Sequence, residues 1–237
     1  HGQGWTDVNF LIPELVGRLD YRKGPYSARD ADFASAGSAE LSYANRLTKN
    51  IGSVTLGQDG FARAMLAGSP ELAGGTLLYA LETMRNDGPW TRPDDYRKLN
   101  GVLRYSRGFA NNGWSVTAMA YRGKWNATDQ IPLRAVDSGT LGRFDAIDDT
   151  DGGNARRYSL SGIWRQTGVE SASKLSAYVI RNQLELFSNF TYFMNDPVNG
   201  DQFAQPDRRV TSGLDATHTL HLHRGEHMAS DLTFGAR

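Results

Sequence analysis

Four of the five histidines lie close together near the end of the chain, and imidazole groups are common ligands of zinc and copper. In an extended segment His221 and His223 would share one strand face with Asp215, whereas His218 would lie on the opposite face. A polar strand face in contact with water tolerates the same side chains without a metal, so we predict no metal here. The four residues are His218, His221, His223 and His227.

A short acidic segment, residues 148–153, offers a second group of possible metal ligands and looks like a calcium loop. The EF-hand pattern fails, however. With Gly152 at the sixth position, the first position would be Ile147 and the twelfth Tyr158, and neither is a carboxylate. We predict a solvated loop, with opportunistic calcium binding as the alternative.

The best candidate for ligand binding is a polar segment at residues 87–96. It combines aromatic rings, a guanidinium group and carboxylates, which together suit the capture of a polar ligand by stacking and charge-assisted hydrogen bonds. The alternative for Trp90 is an aromatic side chain at a membrane interface. The predicted ligand contacts are Trp90, Arg92, Asp94 and Tyr96.

Motifs for catalysis are absent from the sequence, which has no nucleophile elbow, no His-Glu zinc helix motif and no phosphate-binding glycine loop. We predict neither enzymatic activity nor a cofactor. Lys and Arg number 26, as do Asp and Glu, so the charge balance does not favour nucleic acid as a partner. The absence of cysteine excludes disulfides and thiolate metal sites.

Alternation of apolar and polar residues predicts β-strands from about residue 50 onward. In residues 98–106 an apolar set alternates with a polar set, and Val102 is the exception; in residues 157–165 the exception is Ile163. No apolar run approaches the roughly 20 residues that a membrane-spanning helix needs. The predicted strands are residues 50–57, 60–70, 75–84, 96–107, 113–126, 155–167, 172–194, 209–223 and 227–237.

The connections between these strands alternate between short and long. Short ones are predicted at residues 72–75, 109–113, 168–171 and 224–226, and long polar ones at residues 85–95, 129–154 and 195–209. Outer-membrane barrels have short periplasmic turns and long extracellular loops, and their strands of about 9 to 11 residues exceed the usual soluble strand. We therefore expect an all-β fold that forms a transmembrane antiparallel β-barrel.

The predicted strand number is odd, whereas bacterial single-chain barrels close with an even number. We expect an incomplete barrel of about nine strands. The expected division is residues 49–237 as the N-terminal part of the barrel and residues 1–48 as a separate N-terminal segment.

The N-terminal segment carries the most specific pattern in the sequence. A charged strand ends in a Gly-Pro turn, residues 10–14 lead into it, and a small-residue stretch at residues 34–39 leads to a second short strand at residues 40–43. This resembles the end of the plug domain of TonB-dependent receptors, and residues 55–60 and 187–202 are similar to barrel segments of that family. The motif residues are Arg18, Asp20, Arg22, Lys23, Gly24 and Pro25.

The resemblance implies that residues 1–48 are the C-terminal part of a small plug domain and that the complete barrel has roughly 22 strands. It also implies a receptor of the bacterial outer membrane that takes up a scarce ligand such as an iron-siderophore, cobalamin or an oligosaccharide. Its partners would be outer-membrane lipid and the inner-membrane protein TonB, which would act through an N-terminal box not in this sequence. Arg18, Asp20, Arg22 and Lys23 would form salt bridges with the barrel wall. Two alternatives remain: a passive porin-like barrel, and a soluble β-sandwich that serves in carbohydrate binding or adhesion.

Overall fold

A computed structural model describes residues 7–26, 34–109, 111–224 and 228–237. These ranges contain twelve β-strands, one short α-helix, α1 (Leu133–Asp137), and a single 3-10 turn at Pro13–Leu15. In the ranges described, no helix is long and apolar enough to span a membrane. The strands are β1 (Val16–Lys23), β2 (Gly37–Tyr43), β3 (Ile51–Leu56), β4 (Ala62–Gly68), β5 (Glu71–Leu72), β6 (Gly75–Asn86), β7 (Tyr96–Phe109), β8 (Asn112–Asn126), β9 (Gly152–Thr167), β10 (Ser171–Ser188), β11 (Phe203–Arg224) and β12 (Met228–Ala236).

The strands form two antiparallel sheets, which confirms the predicted all-β fold. Strands β1 and β2 pair with each other, while the other ten form one sheet in the order β12-β11-β10-β9-β8-β7-β6-β4-β3, with β5 on β6. Almost every strand pairs with its neighbour in sequence, as expected when hairpins connect them. The two edges of the large sheet are β3 and β12.

The two faces of the large sheet differ in polarity, as the alternation predicts. Directly opposite residues of antiparallel strands have their side chains on the same face of the sheet. A row of paired residues that runs across the strands therefore belongs to one face. One row of what we call the polar face is Glu82, Asn100, Tyr121, Arg157, Asn182 and Arg209. One row of what we call the apolar face is Tyr79, Leu103, Ala118, Leu160, Val179 and Ser212.

The connections are also sorted by length, as predicted. At one end of the sheet lie the short connections, such as residues 73–74 and 168–170, and at the other lie the long ones, residues 87–95, 127–151 and 189–202, together with the turn at residues 57–61. The Asp87 amide donates a hydrogen bond of 2.9 Å to the carbonyl of Asp59, which joins this turn to residues 87–95. The turn between β11 and β12, which includes His227, lies outside the described residues.

Two predicted strand boundaries are wrong. Residues 172–194 do not form one strand, because β10 ends at Ser188 and the Asn189 side chain accepts a hydrogen bond from the Tyr192 amide at 2.7 Å. Strand β11 begins at Phe203 rather than at residue 209 and contains Pro206. Proline is tolerated at a sheet edge, and beside Pro206 the sheet ends at β11, since β12 pairs only with residues 216–224.

The main buried core lies between the N-terminal segment and the polar face. Ile12, just before the 3-10 turn, and Leu15, within it, are fully buried. They form one cluster with five apolar side chains of β4, β6 and β7. Val102, the exception in the predicted alternation, belongs to this cluster. The sheet residues are Met65, Ala67, Leu78, Ala80 and Val102.

Candidate functional site

A cavity of about 510 Å³ lies between residues 7–10 and the polar face, towards the long connections. Its volume falls within the range of about 300–1,000 Å³ that is typical of small-molecule sites. Strands β7 to β11 and residues 7–10 supply its walls. Six lining side chains carry its chemistry: Tyr96, Tyr121, Trp125, Arg157, Asn182 and Asp207.

The N-terminal side of this cavity is fixed by contacts at Phe10. The Asn100 side-chain amide donates a hydrogen bond of 2.6 Å to the Phe10 carbonyl. The guanidinium carbon of Arg157 lies 4.2 Å from the centre of the Phe10 ring, which is a cation–π distance. Because Asn100 is fully buried, this bond compensates for the loss of water around its amide.

A charged network anchors the same segment one turn further along. Arg63 on β4 lies 2.6 Å from the Glu14 carboxylate and 2.7 Å from Glu82 on β6, while the ammonium of Lys98 lies 3.0 Å from Glu82. The hydrogen bond from Arg63 is the largest cause that holds the pKa of Glu14 below its usual value, against the effect of burial. Glu82 is only 1% exposed. The N-terminal segment is therefore held to the sheet by the ion pair between Glu14 and Arg63, which the buried Glu82 orients, as well as by apolar contacts.

The cavity offers aromatic rings, a cation, a carboxylate and an amide within one enclosure. Rings stack on flat ligand surfaces or on sugar faces, and the guanidinium can form paired hydrogen bonds with an anionic oxygen group. This chemistry suits a polar ligand that contains rings. No nucleophile and base are brought together among the six side chains that carry this chemistry.

The four predicted ligand contacts do not form one site. Only Tyr96 lines the cavity. Trp90 packs edge-on against Phe144 with ring centres 6.1 Å apart. Burial raises the pKa of Asp94, and the hydrogen bond from Trp90 partly opposes this effect. Trp90 and Asp94 thus lie within the packing of the long connections, and Arg92 is close enough to Asp148 to interact electrostatically with it.

The three longest connections pack together above the cavity end of the sheet. The Thr91 hydroxyl donates to Asp145 at 2.7 Å, the Asn189 amide to Asp148 at 2.7 Å, and the Tyr192 hydroxyl to the Gln130 carbonyl at 2.9 Å. Each bond joins residues 127–151 to another long connection. Together they form an ordered rim at this end of the sheet.

The acidic segment stabilises this rim. Both oxygens of the Asp148 carboxylate accept hydrogen bonds from protein groups, Thr150 on one side and Asn189 on the other. Burial raises the pKa of Asp151 to about 7, and nearby Asp129 adds to this effect while a hydrogen bond from Gln202 opposes it. Within the described residues, no group of three or more His, Cys, Asp or Glu side chains is arranged for a metal ion.

The raised pKa of Asp151 predicts a pH effect on the rim. A carboxyl with a higher pKa in the folded state stabilises that state most when protonated, so stability is full below about pH 4 and is lost as the pH rises through about 7. Hydrogen exchange of residues 189–202, corrected for intrinsic rates, should show weaker protection at about pH 8 than at about pH 5. Asp151→Asn should remove most of this difference and Asp137→Asn should not; an unchanged difference in Asp151→Asn would contradict the prediction.

The two histidine side chains that the structure describes near the end of the chain lie on opposite faces of the sheet. His221 lies on the polar face with its Nδ1 2.8 Å from Asp231, while His218 lies on the apolar face, as predicted, with its Nδ1 2.8 Å from the Ser173 hydroxyl. Asp215 pairs with Arg237 at 3.5 Å rather than with a histidine. The His223 side chain and the whole of His227 lie outside what the structure describes.

The residues of the N-terminal motif lie on and just after β1. Arg18 and Asp20 pair with each other at 2.7 Å instead of with the sheet, because residues two apart on a strand share a face. Asp20 and Arg22 face a second cavity, of about 380 Å³, whose other wall is formed by β10 and β11. Lys23 ends β1 opposite Gly37, and Gly24, which precedes Pro25, has a φ of 77°, a value that glycine adopts without strain.

Sequence reasoning did not identify most of the cavity residues. Tyr121, Arg157 and Asn182 lie on three different strands, so no local motif connects them. In the sequence each of them is recognisable only as a residue on the polar side of its strand, and many other residues have the same property. Only the strand register brings them into one row.

No family model, curated protein or solved structure matches this chain.

Proposed function

We propose that this chain is part of an outer-membrane β-barrel receptor for energy-coupled uptake, with residues up to about 48 as the end of its plug. The inverted polarity of the large sheet carries this proposal. On the polar face Glu82 and Asn100 are at most 1% exposed, whereas Leu81, Leu103 and Leu160 on the apolar face are each about half exposed. A soluble sheet buries its apolar face and presents its polar face to water, so an exposed apolar face favours contact with lipid.

The dimensions of the apolar face support a membrane position. From Trp114 to Arg122 strand β8 rises about 27 Å at about 3.4 Å per residue, which becomes about 20 Å of height at the usual tilt. At the lower edge of this band Trp114 packs beside Tyr105 with ring centres 5.4 Å apart and tilted planes, and Trp164 is its direct partner on β9. An aromatic girdle beside a band of about 25 Å is typical of outer-membrane barrels. In a closed barrel the free edges of β3 and β12 would pair with further strands.

The contacts of the N-terminal segment favour a plugged receptor over a passive porin. A plug has to seal a wide polar lumen, and residues 7–26 and 34–48 contact the polar face through Asn100, Arg63, Arg157 and the buried core. In this proposal the energy-coupling partner is TonB, and movement of the plug opens the path. The pairing of β1 with β2 gives the segment its own small sheet, which suits a unit that moves as one body.

The cavity on the polar face is the proposed ligand site, at the boundary between plug and wall. The cavity lies towards the end of the sheet that carries the long connections, which face outward in this proposal, so a ligand from outside would meet the plug there. The ligand classes are those of the resemblance: an iron-siderophore, cobalamin or an oligosaccharide. Aromatic rings beside Arg157 and Asn182 suit each of them, since all present polar groups on a large framework.

The proposal is tested on the complete protein to which this chain is proposed to belong, in lipid vesicles to which three probes are added: a ferric siderophore, cobalamin and a maltooligosaccharide. One of them should bind, with quenching of tryptophan fluorescence, because Trp125 lines the cavity. Arg157→Gln should weaken that binding by at least about tenfold through the loss of charge-assisted hydrogen bonds. Arg143→Gln, in an exposed part of the rim, is the matched control. Equal binding by both variants would exclude the cavity as the site, and no insertion into the vesicles would contradict the receptor itself.

A further inference from the structure

A cluster of cations covers the upper end of the apolar face, next to the long connections. The register places Arg85 directly opposite Arg97, Arg97 opposite Lys124, and Arg122 opposite Arg156. Two more arginines share this face on β10 and β11. We call the set the cationic girdle: Arg85, Arg97, Arg122, Lys124, Arg156, Arg181 and Arg208.

Like charges directly opposite each other on a sheet are destabilising. Acidic side chains relieve only part of this repulsion: Arg97 lies 2.8 Å from Asp95, and Arg208 lies 3.7 Å from Glu185. Within the described ranges, Arg85, Arg122 and Lys124 have no carboxylate within ion-pair distance. The girdle therefore has an excess of positive charge that the described protein does not neutralise.

Among the described residues, most cations of the apolar face lie at one edge of the apolar band. The opposite edge, next to the short turns, is formed by Tyr105, Trp114 and Trp164, with Arg107 as its cation on β7. If both edges were simply in contact with water, no such difference in charge between them would be expected. An excess of guanidinium groups at one edge is instead complementary to anionic groups at one side of a lipid bilayer.

We infer that the cationic girdle binds the phosphate groups of an anionic lipid in the leaflet on the side of the long connections. This inference rests on the membrane position in the proposed function. A guanidinium group can form two parallel hydrogen bonds with phosphate oxygens. A phosphate bound between Arg85 and Arg97 would attract both side chains and so offset their mutual repulsion. Adjacent strands lie about 4.8 Å apart, so the row across β6, β7 and β8 spans about 10 Å. That span suits a headgroup with more than one phosphate.

The test compares the lipids that copurify with the protein from mixed vesicles containing phosphatidylcholine and either diphosphorylated lipid A or its dephosphorylated form. The wild-type protein should retain the diphosphorylated lipid several-fold better, and retention should fall as salt is added. The triple variant Arg85→Gln, Arg97→Gln, Arg122→Gln should lose most of this preference. The matched control, Arg107→Gln, Arg134→Gln, Arg143→Gln, removes the same charge outside the girdle and should keep it.

Resistance of the protein to alkaline extraction from the vesicles is measured in parallel. Normal insertion without a lipid preference, or an equal loss of preference in both triple variants, would overturn the girdle inference alone. Displacement of the lipid by millimolar inorganic phosphate would show a site for free phosphate and would also overturn it. Failure of every form to insert would overturn the proposed function and this inference together.

Discussion

Glu82→Gln is expected to destabilise the protein by about 3–5 kcal/mol, the usual cost of removing one partner from a buried ion pair. The Glu82 side chain is 1% exposed and forms ion pairs with both Arg63 and Lys98. Glutamine keeps the size of the side chain but leaves Lys98, itself 8% exposed, without a counter-charge. Urea unfolding in lipid vesicles, followed by tryptophan fluorescence, measures the change in the free energy of unfolding.

The control for this prediction is Glu71→Gln. Glu71 pairs with Arg46 at 3.1 Å, and the two side chains are 74% and 65% exposed. An exposed pair of this kind contributes at most about 1 kcal/mol. Equal effects of the two substitutions would mean that the network around Glu82 does not hold the N-terminal segment in place. Faster proteolysis within residues 7–48 of Glu82→Gln is the accompanying sign that the segment has loosened.

Leu160→Arg should lower the free energy of unfolding in the membrane by about 2–4 kcal/mol, which is the cost of an arginine on the lipid face near the bilayer midplane. Leu160 lies midway between Trp164 and Arg156 along β9, on the apolar face. If the apolar face were in contact with water, the same substitution at a half-exposed leucine would have little effect or would improve solubility. The same urea titration measures the difference.

The neighbouring substitution Ser159→Arg is the matched control, because the two residues lie on opposite faces of one strand. On the polar face an added arginine can reach water, so a much smaller effect is expected. A larger loss for Ser159→Arg than for Leu160→Arg would reverse the assignment of the two faces.

Much of the fold could be predicted from local alternation. The apolar and polar sets of residues 157–165 were assigned correctly, because a strand exposes its side chains to two different environments at every second residue. Turn-forming residues separated the strands, and the sorted lengths of the connections followed from them. The two N-terminal strands β1 and β2 could also be predicted, although their pairing could not.

What could not be predicted depends on contacts between distant segments. Val102 breaks the alternation because it packs on Ile12 and Leu15, almost ninety residues away in sequence. The start of β11 at Phe203 could not be predicted because residues 205–208 are three polar residues and a proline, and only their pairing with β10 makes them part of a strand. The cavity was missed for the same reason, since its walls come from five strands and the N-terminal segment.

The most direct test of the membrane position uses the absence of cysteine from the natural chain. Single cysteines at positions 158 to 163 are labelled with an environment-sensitive fluorophore, and the protein is inserted into vesicles of brominated lipid, which quenches fluorophores that touch the acyl chains. Quenching should alternate, strong at Tyr158→Cys, Leu160→Cys and Gly162→Cys and weak at the three positions between them. Equal quenching at all six positions, or none at any of them, would contradict a lipid-facing apolar sheet.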